Sequence, residues 1–197
     1  PDGGRGFWNV PTMSAEERME NRVLNGRRIH MQIWNLDKPT IAAVNGVAAG
    51  AGCDLAMSCD IRIASNTARF IQVYIRRSLV PLDGGIFWAP YHLPHGMAME
   101  MLLSGDALSV EDAYRIGLVN RVVAPDEVLQ TAIDLGSEIG QNSAMALRMA
   151  KAALNTGLDA PTETCMAFES TAQAILFEDA EKHERMTRFL ERKKPKS

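Results

Sequence analysis

The sequence predicts an α/β core followed by a helical C-terminal region, on three observations. Short apolar runs rich in β-branched residues stand at Thr40–Val44, Ile61–Ala64, Ala68–Val73 and Val119–Val123. Segments of helical spacing alternate with them through the first two thirds of the chain, the alternation expected of an α/β architecture. From Ala144 onward the pattern is helical throughout. No internal repeat or low-complexity segment interrupts this order.

The elements follow in turn. Ser14-Ala-Glu-Glu17 has capping-box spacing. Met19, Val23, Ile33 and Trp34 then fall near helical spacing, so a helix is expected from about Ala15 to Asn35, stopped by Lys38-Pro39. Thr40–Val44, bounded by Pro39 and Asn45-Gly46, reads as a buried strand. Gly50–Cys59 is expected as a short helix, with strands at Ile61–Ala64 and Ala68–Val73. Val80–Gly85 is a loop leading into a helix. Gly96–Ser104 is helical, and Ser109-Val-Glu-Asp112 begins a helix that stops at Gly117. Val119–Val123 is the next strand, and Pro125-Asp126-Glu127 starts another helix. Beyond Ala144, breaks are expected at Asn155-Thr-Gly157, at Pro161 and around Asp179.

The chain has 197 residues and a net charge of −3, which offers no argument for a nucleic-acid partner. Cys53, Cys59 and Cys165 form no disulfide framework, which points to a reducing compartment such as the cytoplasm. Cys53 and Cys59 lack the close spacing of a zinc site, so no metal is expected. No apolar run approaches the ~20 residues that a membrane helix needs. The start, PDGGRGFWNVP, reads as a loop, as if the chain began mid-domain. His92 and His95 flank Pro94 in a loop and are expected at the surface. Met97, Met99 and Met101 alternate and cannot all share one helix face.

The stretch IAAVNGVAAGAGCDLAMSCDIRIAS places Gly46, Gly50, Gly52 and Asp54 in the most apolar part of the chain. A strand, a glycine turn and a helix N-terminus together leave backbone N–H groups without intrahelical partners, and the helix dipole adds positive potential there. Such a device can hold a phosphate, stabilise an oxyanion, or simply pack a helix tightly on a strand. The dinucleotide pattern G-x-G-x-x-G and the sequence G-K-[ST] are both absent.

The segment KPTIAAVNGVAAGAGCDLAMSCDIRIAS resembles the signature of the crotonase, or enoyl-CoA hydratase/isomerase, superfamily. The resemblance continues through ARF, LVPLDGG, AMEMLLSGDALSVEDAYRIGLVNRVVAPDEV and FLERKK, and so covers nearly all of Lys38–Lys194. It implies a crotonase-like spiral of β-β-α units over residues 1–135, lacking N-terminal strands, and a helical trimerisation region over 136–197. It implies an acyl-CoA thioester as substrate, no covalently bound cofactor, and a homotrimer or hexamer.

The resemblance also implies roles. In the family, two backbone N–H groups hold the thioester oxygen while an enolate forms. The second comes from the middle of a glycine run, which is Gly50-Ala51-Gly52 here, so Ala51 N–H is the implied donor between Gly50 and Gly52. The segment that carries the first donor is not found in this sequence. Of the two carboxylates of the hydratases, Asp54 takes one place, and Tyr74 stands at the other. A phenol with pKa near 10 is a poor base at neutral pH but can orient substrate or water. Other branches carry an aspartate near Asp83, so Asp54 and Asp83 are the implied proton-moving pair. Arg192, with Lys193 beside it, matches a basic position that reaches CoA phosphates. The implied activity is isomerisation or hydration of an enoyl-CoA through an enolate. Decarboxylation or C–C hydrolysis of an acyl-CoA is the alternative, as is a catalytically silent CoA-ester-binding subunit.

Overall fold

The computed structural model describes residue 14 and residues 29–81, 83–157 and 160–192, the side chain of Arg192 excepted. Most of the expected first helix and Lys193 lie outside the described residues. The chain divides into two compact units. One takes in residues up to Asn35 together with Ala42–Val128, and the other holds Leu36–Ile41 with the residues from Leu129 on.

The first unit opens in helix at residues 29–34 (α1). Then come β1 (Ile41–Val44), β2 (Val47–Ala49), α2 (Ala51–Ser58), β3 (Ile61–Ser65) and β4 (Arg69–Ile71). A 3-10 turn at Ile75–Arg77 leads to α3 (Gly85–His92), α4 (His95–Ser104), β5 (Ala107–Ser109), α5 (Val110–Arg115) and β6 (Arg121–Val123). Two three-stranded sheets form, in the orders β1-β3-β6 and β2-β4-β5. β3 runs parallel to β6, and β4 runs parallel to β2 and antiparallel to β5.

The strands at 41–44, 61–65, 69–71 and 121–123 stand where β-branched residues cluster. β2 and β5 were not expected, and each is only three residues long. Val47 pairs with Arg69 and Ala49 with Ile71, so β2 exists because β4 accepts it. Pairing of that kind is a tertiary choice that local propensity does not encode.

The core of this unit gathers Met57 from α2, Phe70 from β4, Trp88 from α3, Val110 from α5 and Leu118. Phe70 is fully buried, and a ring so placed contributes roughly 1.5–3 kcal/mol. Met101 is buried, Met97 half-buried and Met99 exposed, so the alternating methionines divide between faces. Arg62 is buried and acts as a polar staple. It donates to Leu118 O (2.5 Å), Cys59 O (2.6 Å) and Ala56 O (3.4 Å), gathering carbonyls at the end of α2 and before β6. Its backbone N–H donates to Asn120 Oδ1 (2.9 Å), and Asn120 N–H returns a bond to Arg62 O (2.9 Å). α2 and β3 are thereby held at a fixed separation.

His92 departs from the surface placement expected of it. It ends α3 and is half-buried, with Nε2 2.7 Å from Met57 O. A carbonyl only accepts, so Nε2 carries the proton. Burial, then the nearby Arg62 charge, push its pKa down to about 4, so the ring is neutral. The reason is tertiary: α3 packs against α2, which sets the His92 ring on the last turns of that helix. His95 is exposed, as expected.

After β6 comes α6 (Val128–Gly140), and the second unit contains α7 (Ala144–Gly157), α8 (Thr162–Phe177) and α9 (Ala180–Arg192). The breaks fall at the expected positions. Lys151 is buried and donates to Lys38 O (3.0 Å). Cys165 Sγ lies 3.7 Å from Gly157 O, at the α7–α8 corner. No helix among the described residues is long and apolar enough to cross a membrane.

Candidate active site

Asp54 reaches the core because α2 is short and starts at a glycine. Gly50 caps the helix with φ +55°, a conformation that glycine adopts without strain. A Cβ there would lie 3.4 Å from Val73 Cγ2 and 3.6 Å from the Tyr74 hydroxyl. The side chain of Tyr74 therefore lies against the start of α2. Gly50 N–H donates to Ile71 O (2.9 Å), which ties the cap to β4. Ala51 and Gly52 are exposed. At the first helical position the Ala51 N–H has no intrahelical acceptor. Its carbonyl receives Nε2–H from His30, itself buried, at 3.2 Å.

One turn on, Asp54 is fully buried. Gln72 Nε2 donates to its Oδ1 (2.6 Å), and the Tyr74 hydroxyl lies 3.1 Å from its Oδ2. The same hydroxyl lies 3.4 Å from Asp83 Oδ2. The structure thus brings together Asp54, Tyr74 and Asp83, with Ala51 at the neighbouring helix start. Burial raises the Asp54 carboxyl from 3.8 to about 6. Hydrogen bonds from Gln72 and Tyr74 and the His30 charge pull the other way, and Asp83 adds to the rise. Burial, then the charges of Asp54 and Asp83, push the Tyr74 phenol well above its usual value. Cys53 is buried beside them with its thiol pushed up by burial and by Asp54, so it is no nucleophile.

Asp83 is half-buried. It does not cap α3, whose N-cap is Gly84 at φ +98°. Trp88 Nε1 donates to Asp83 O (3.2 Å) and fixes the loop. Trp34 and Phe87 pack against Trp88, with ring centroids 4.9 Å and 4.7 Å away, and Tyr91 packs in turn on Trp34 (5.2 Å). Gly85, the first residue of α3, comes so close that a Cβ there would lie 2.6 Å from Asp54 Oδ1 and 3.0 Å from Gln72 Nε2.

Sequence reasoning missed Gln72, His30 and Gly85. An uncharged polar residue within Phe70-Ile71-Gln72-Val73 was a visible signal for a buried partner. Nothing local marked His30 or Gly85. Among the described residues no group of three or more His, Cys, Asp or Glu side chains is placed to hold a metal. In the second unit a cavity of about 280 Å³ is lined by Ile41, Ile139 and Leu147, but its Arg148 is paired with its Asp37 at 3.0 Å. It contains no pair of acid and base comparable with Asp54 and Asp83.

Comparison with known proteins decides the family. The family model described as enoyl-CoA hydratase/isomerase matches residues 12–197. The chain belongs to the enoyl-CoA hydratase/isomerase family. It is 39% identical to the short-chain-enoyl-CoA hydratase of Clostridium acetobutylicum over 188 residues, covering 94% of this chain and 72% of that one. It is 38% identical to the crotonyl-CoA hydratase of Syntrophomonas wolfei, covering 94% and 71%. Among solved structures, an enoyl-CoA hydratase/isomerase from Cupriavidus metallidurans superposes with a TM-score of 0.86 at 34% identity, covering 95% and 70%. The protein is an enzyme of the enoyl-CoA hydratase/isomerase family with the crotonase fold of those relatives.

Proposed function

We propose that the chain acts on a 2-enoyl-CoA thioester and adds water across its double bond through an enolate. The observation that carries this is a buried carboxyl beside a helix start, joined through one hydroxyl to a second carboxyl. Asp54, raised to about 6, is poised to hold and release a proton near neutral pH. Asp83 supplies a second carboxyl at the half-buried end. It offers the base that Tyr74 does not. Ala51 N–H would meet the thioester oxygen as charge develops, and one such donor is worth roughly 3–4 kcal/mol at the transition state. The names of the Clostridium and Syntrophomonas relatives support hydration. Double-bond isomerisation is the second reading, favoured by two carboxyls on one hydroxyl, an arrangement that suits moving a proton between carbons. The test is product analysis with crotonyl-CoA and a 3-enoyl-CoA. A 3-hydroxyacyl product supports hydration and a shifted double bond supports isomerisation. Neither product would return the alternatives of decarboxylation, C–C hydrolysis or CoA-ester binding.

The exposed side of the second unit supports an assembly of three or six copies. Met166, Phe168, Phe177, Phe189 and Leu190 are exposed on α8 and α9. Apolar residues on this scale call for a partner surface, and a homotrimer or a dimer of trimers supplies it. Light scattering is expected to give three or six copies, and a stable monomer at micromolar concentration overturns this.

The resemblance at FLERKK supports a contact of Arg192 and Lys193 with CoA phosphates. Replacing both with Ala is expected to weaken CoA binding, and more at low salt than at high salt. Equal affinity of the variant and the parent at both ionic strengths removes the assignment.

A further inference from the structure

We propose that the Tyr74 hydroxyl is a proton relay that recharges the buried acid Asp54 from Asp83 after each turnover. The inference rests on the hydration reading for its chemistry, but its geometry stands apart. Asp54 is fully buried in the substrate-free protein, so there its carboxyl exchanges protons through its hydrogen-bond partners. Its Oδ1 faces Gln72, which is equally buried and whose own Oε1 has no hydrogen-bond partner among the described residues. The Gln72 branch is therefore a dead end for a proton. His30 Nε2 is engaged by Ala51 O at 3.2 Å. The Oδ2 side opens differently, with Tyr74 Oη at 3.1 Å and Asp83 Oδ2 a further 3.4 Å beyond that hydroxyl. Asp83 is half-buried and meets solvent. Tyr74 is a hydrogen-bonded link between the buried acid and the solvent-facing Asp83.

Proton counting makes the link directional. A phenol has one hydroxyl proton, and two carboxyls lie within reach of it. In hydration, the Asp83 carboxylate takes a proton from the attacking water as the water oxygen bonds to the β-carbon. The Asp54 carboxylic acid gives its proton to the α-carbon. The site is left with Asp83 protonated and Asp54 ionised, the reverse of its starting state. In the reset, the Asp83 O–H breaks and its proton bonds to Tyr74 Oη, while the Tyr74 proton passes to Asp54 Oδ2. Two O–H bonds break and two form, and no phenolate appears. Burial and the neighbouring Asp54 carboxylate hold the phenolate far out of reach, so the two transfers are concerted.

The test compares the parent protein with Tyr74→Phe and Asp83→Asn. Infrared spectroscopy after rapid mixing from H2O into D2O at pH 5 follows the carboxylic C=O band of Asp54, assigned by its loss in Asp54→Asn. Isotope exchange is expected to be slowed at least about tenfold in both variants, with the double variant no slower than either single one. Exchange as fast in Tyr74→Phe as in the parent overturns the relay. With crotonyl-CoA, Tyr74→Phe is expected to slow the steady state at least about tenfold more than the first turnover, giving a burst of one product per site. A first turnover lost along with the steady state assigns Tyr74 to shaping the site and overturns the relay. A parent protein that exchanges through Tyr74 but hydrates no crotonyl-CoA overturns the hydratase reading and leaves the relay standing.

Discussion

Asp54→Asn is expected to lower turnover by about 10²–10⁴-fold, the usual range for a lost general acid or base, and to make the fold more stable. Both effects come from the same burial. Asn keeps the shape of the side chain, and its Oδ1 still accepts from Gln72 Nε2, which donates to Asp54 at 2.6 Å. Substrate affinity should therefore change little, because the CoA contacts lie elsewhere, and the loss should fall on kcat. The stability gain follows from proton linkage. The Asp54 carboxyl moves from 3.8 to about 6 on folding, chiefly through burial. Between those two values the folded chain holds a proton that the unfolded chain has lost. Stability then falls as pH rises through that window, and above about 6 the full cost stands. A shift of this size corresponds to a cost on the order of 3 kcal/mol. The amide carries no such cost. Urea unfolding at pH 8 should show Asp54→Asn more stable than the parent by about 1–3 kcal/mol, with the gap closing near pH 4. A gap that does not change with pH would falsify the assignment of this burial cost to Asp54.

The legible part of this protein was what local chemistry dictates. The strands at Ile41–Val44 and Ile61–Ser65 announced themselves through β-branched runs between Pro39, Asn45-Gly46 and Asp60. α2 was visible from the glycines before it, and α5 from its cap, where Ser109 Oγ accepts from Asp112 N–H at 3.1 Å. β2 and β5 were not legible, because three-residue strands exist only where a neighbour pairs with them. At the site, Asp54, Tyr74 and Asp83 were named from the resemblance, yet nothing in their spacing says that one hydroxyl lies within 3.4 Å of both carboxyls. That depends on how the turn at Ile75–Arg77 redirects the chain toward α3. His92 shows the same limit in reverse. Beside Pro94 it looked like a surface residue, and packing against α2 made it a neutral donor to Met57 O.

Gly85→Ala is expected to damage stability and catalysis together, although it adds a single methyl group to the start of a helix. The position has no unusual backbone requirement, since its φ is not positive. Space is the whole argument. The new Cβ would lie 2.6 Å from Asp54 Oδ1, 2.9 Å from Pro81 Cβ and 3.0 Å from Gln72 Nε2. Asp54 cannot retreat, because Gln72 and Tyr74 hold both of its oxygens. Gln72 is fully buried behind it, and Pro81 presents a rigid ring. α3 must therefore shift away from α2, or Asp54 must leave its hydrogen bonds. Overpacking of this kind costs about 1–3 kcal/mol, and a displacement of about 1 Å at a reacting group lowers rate by roughly 10²-fold. Gly136→Ala is the matched control. Its Cβ would meet only Ile41 Cδ1, at an ordinary 3.7 Å, within a helix spanning Val128–Gly140. There the methyl removes glycine's backbone freedom and should stabilise by about 0.4–1 kcal/mol. Urea unfolding and crotonyl-CoA turnover on both variants check the contrast. Parent-like turnover in Gly85→Ala would show that Asp54 can move without consequence, and its hydrogen bonds would then set the fold rather than the chemistry.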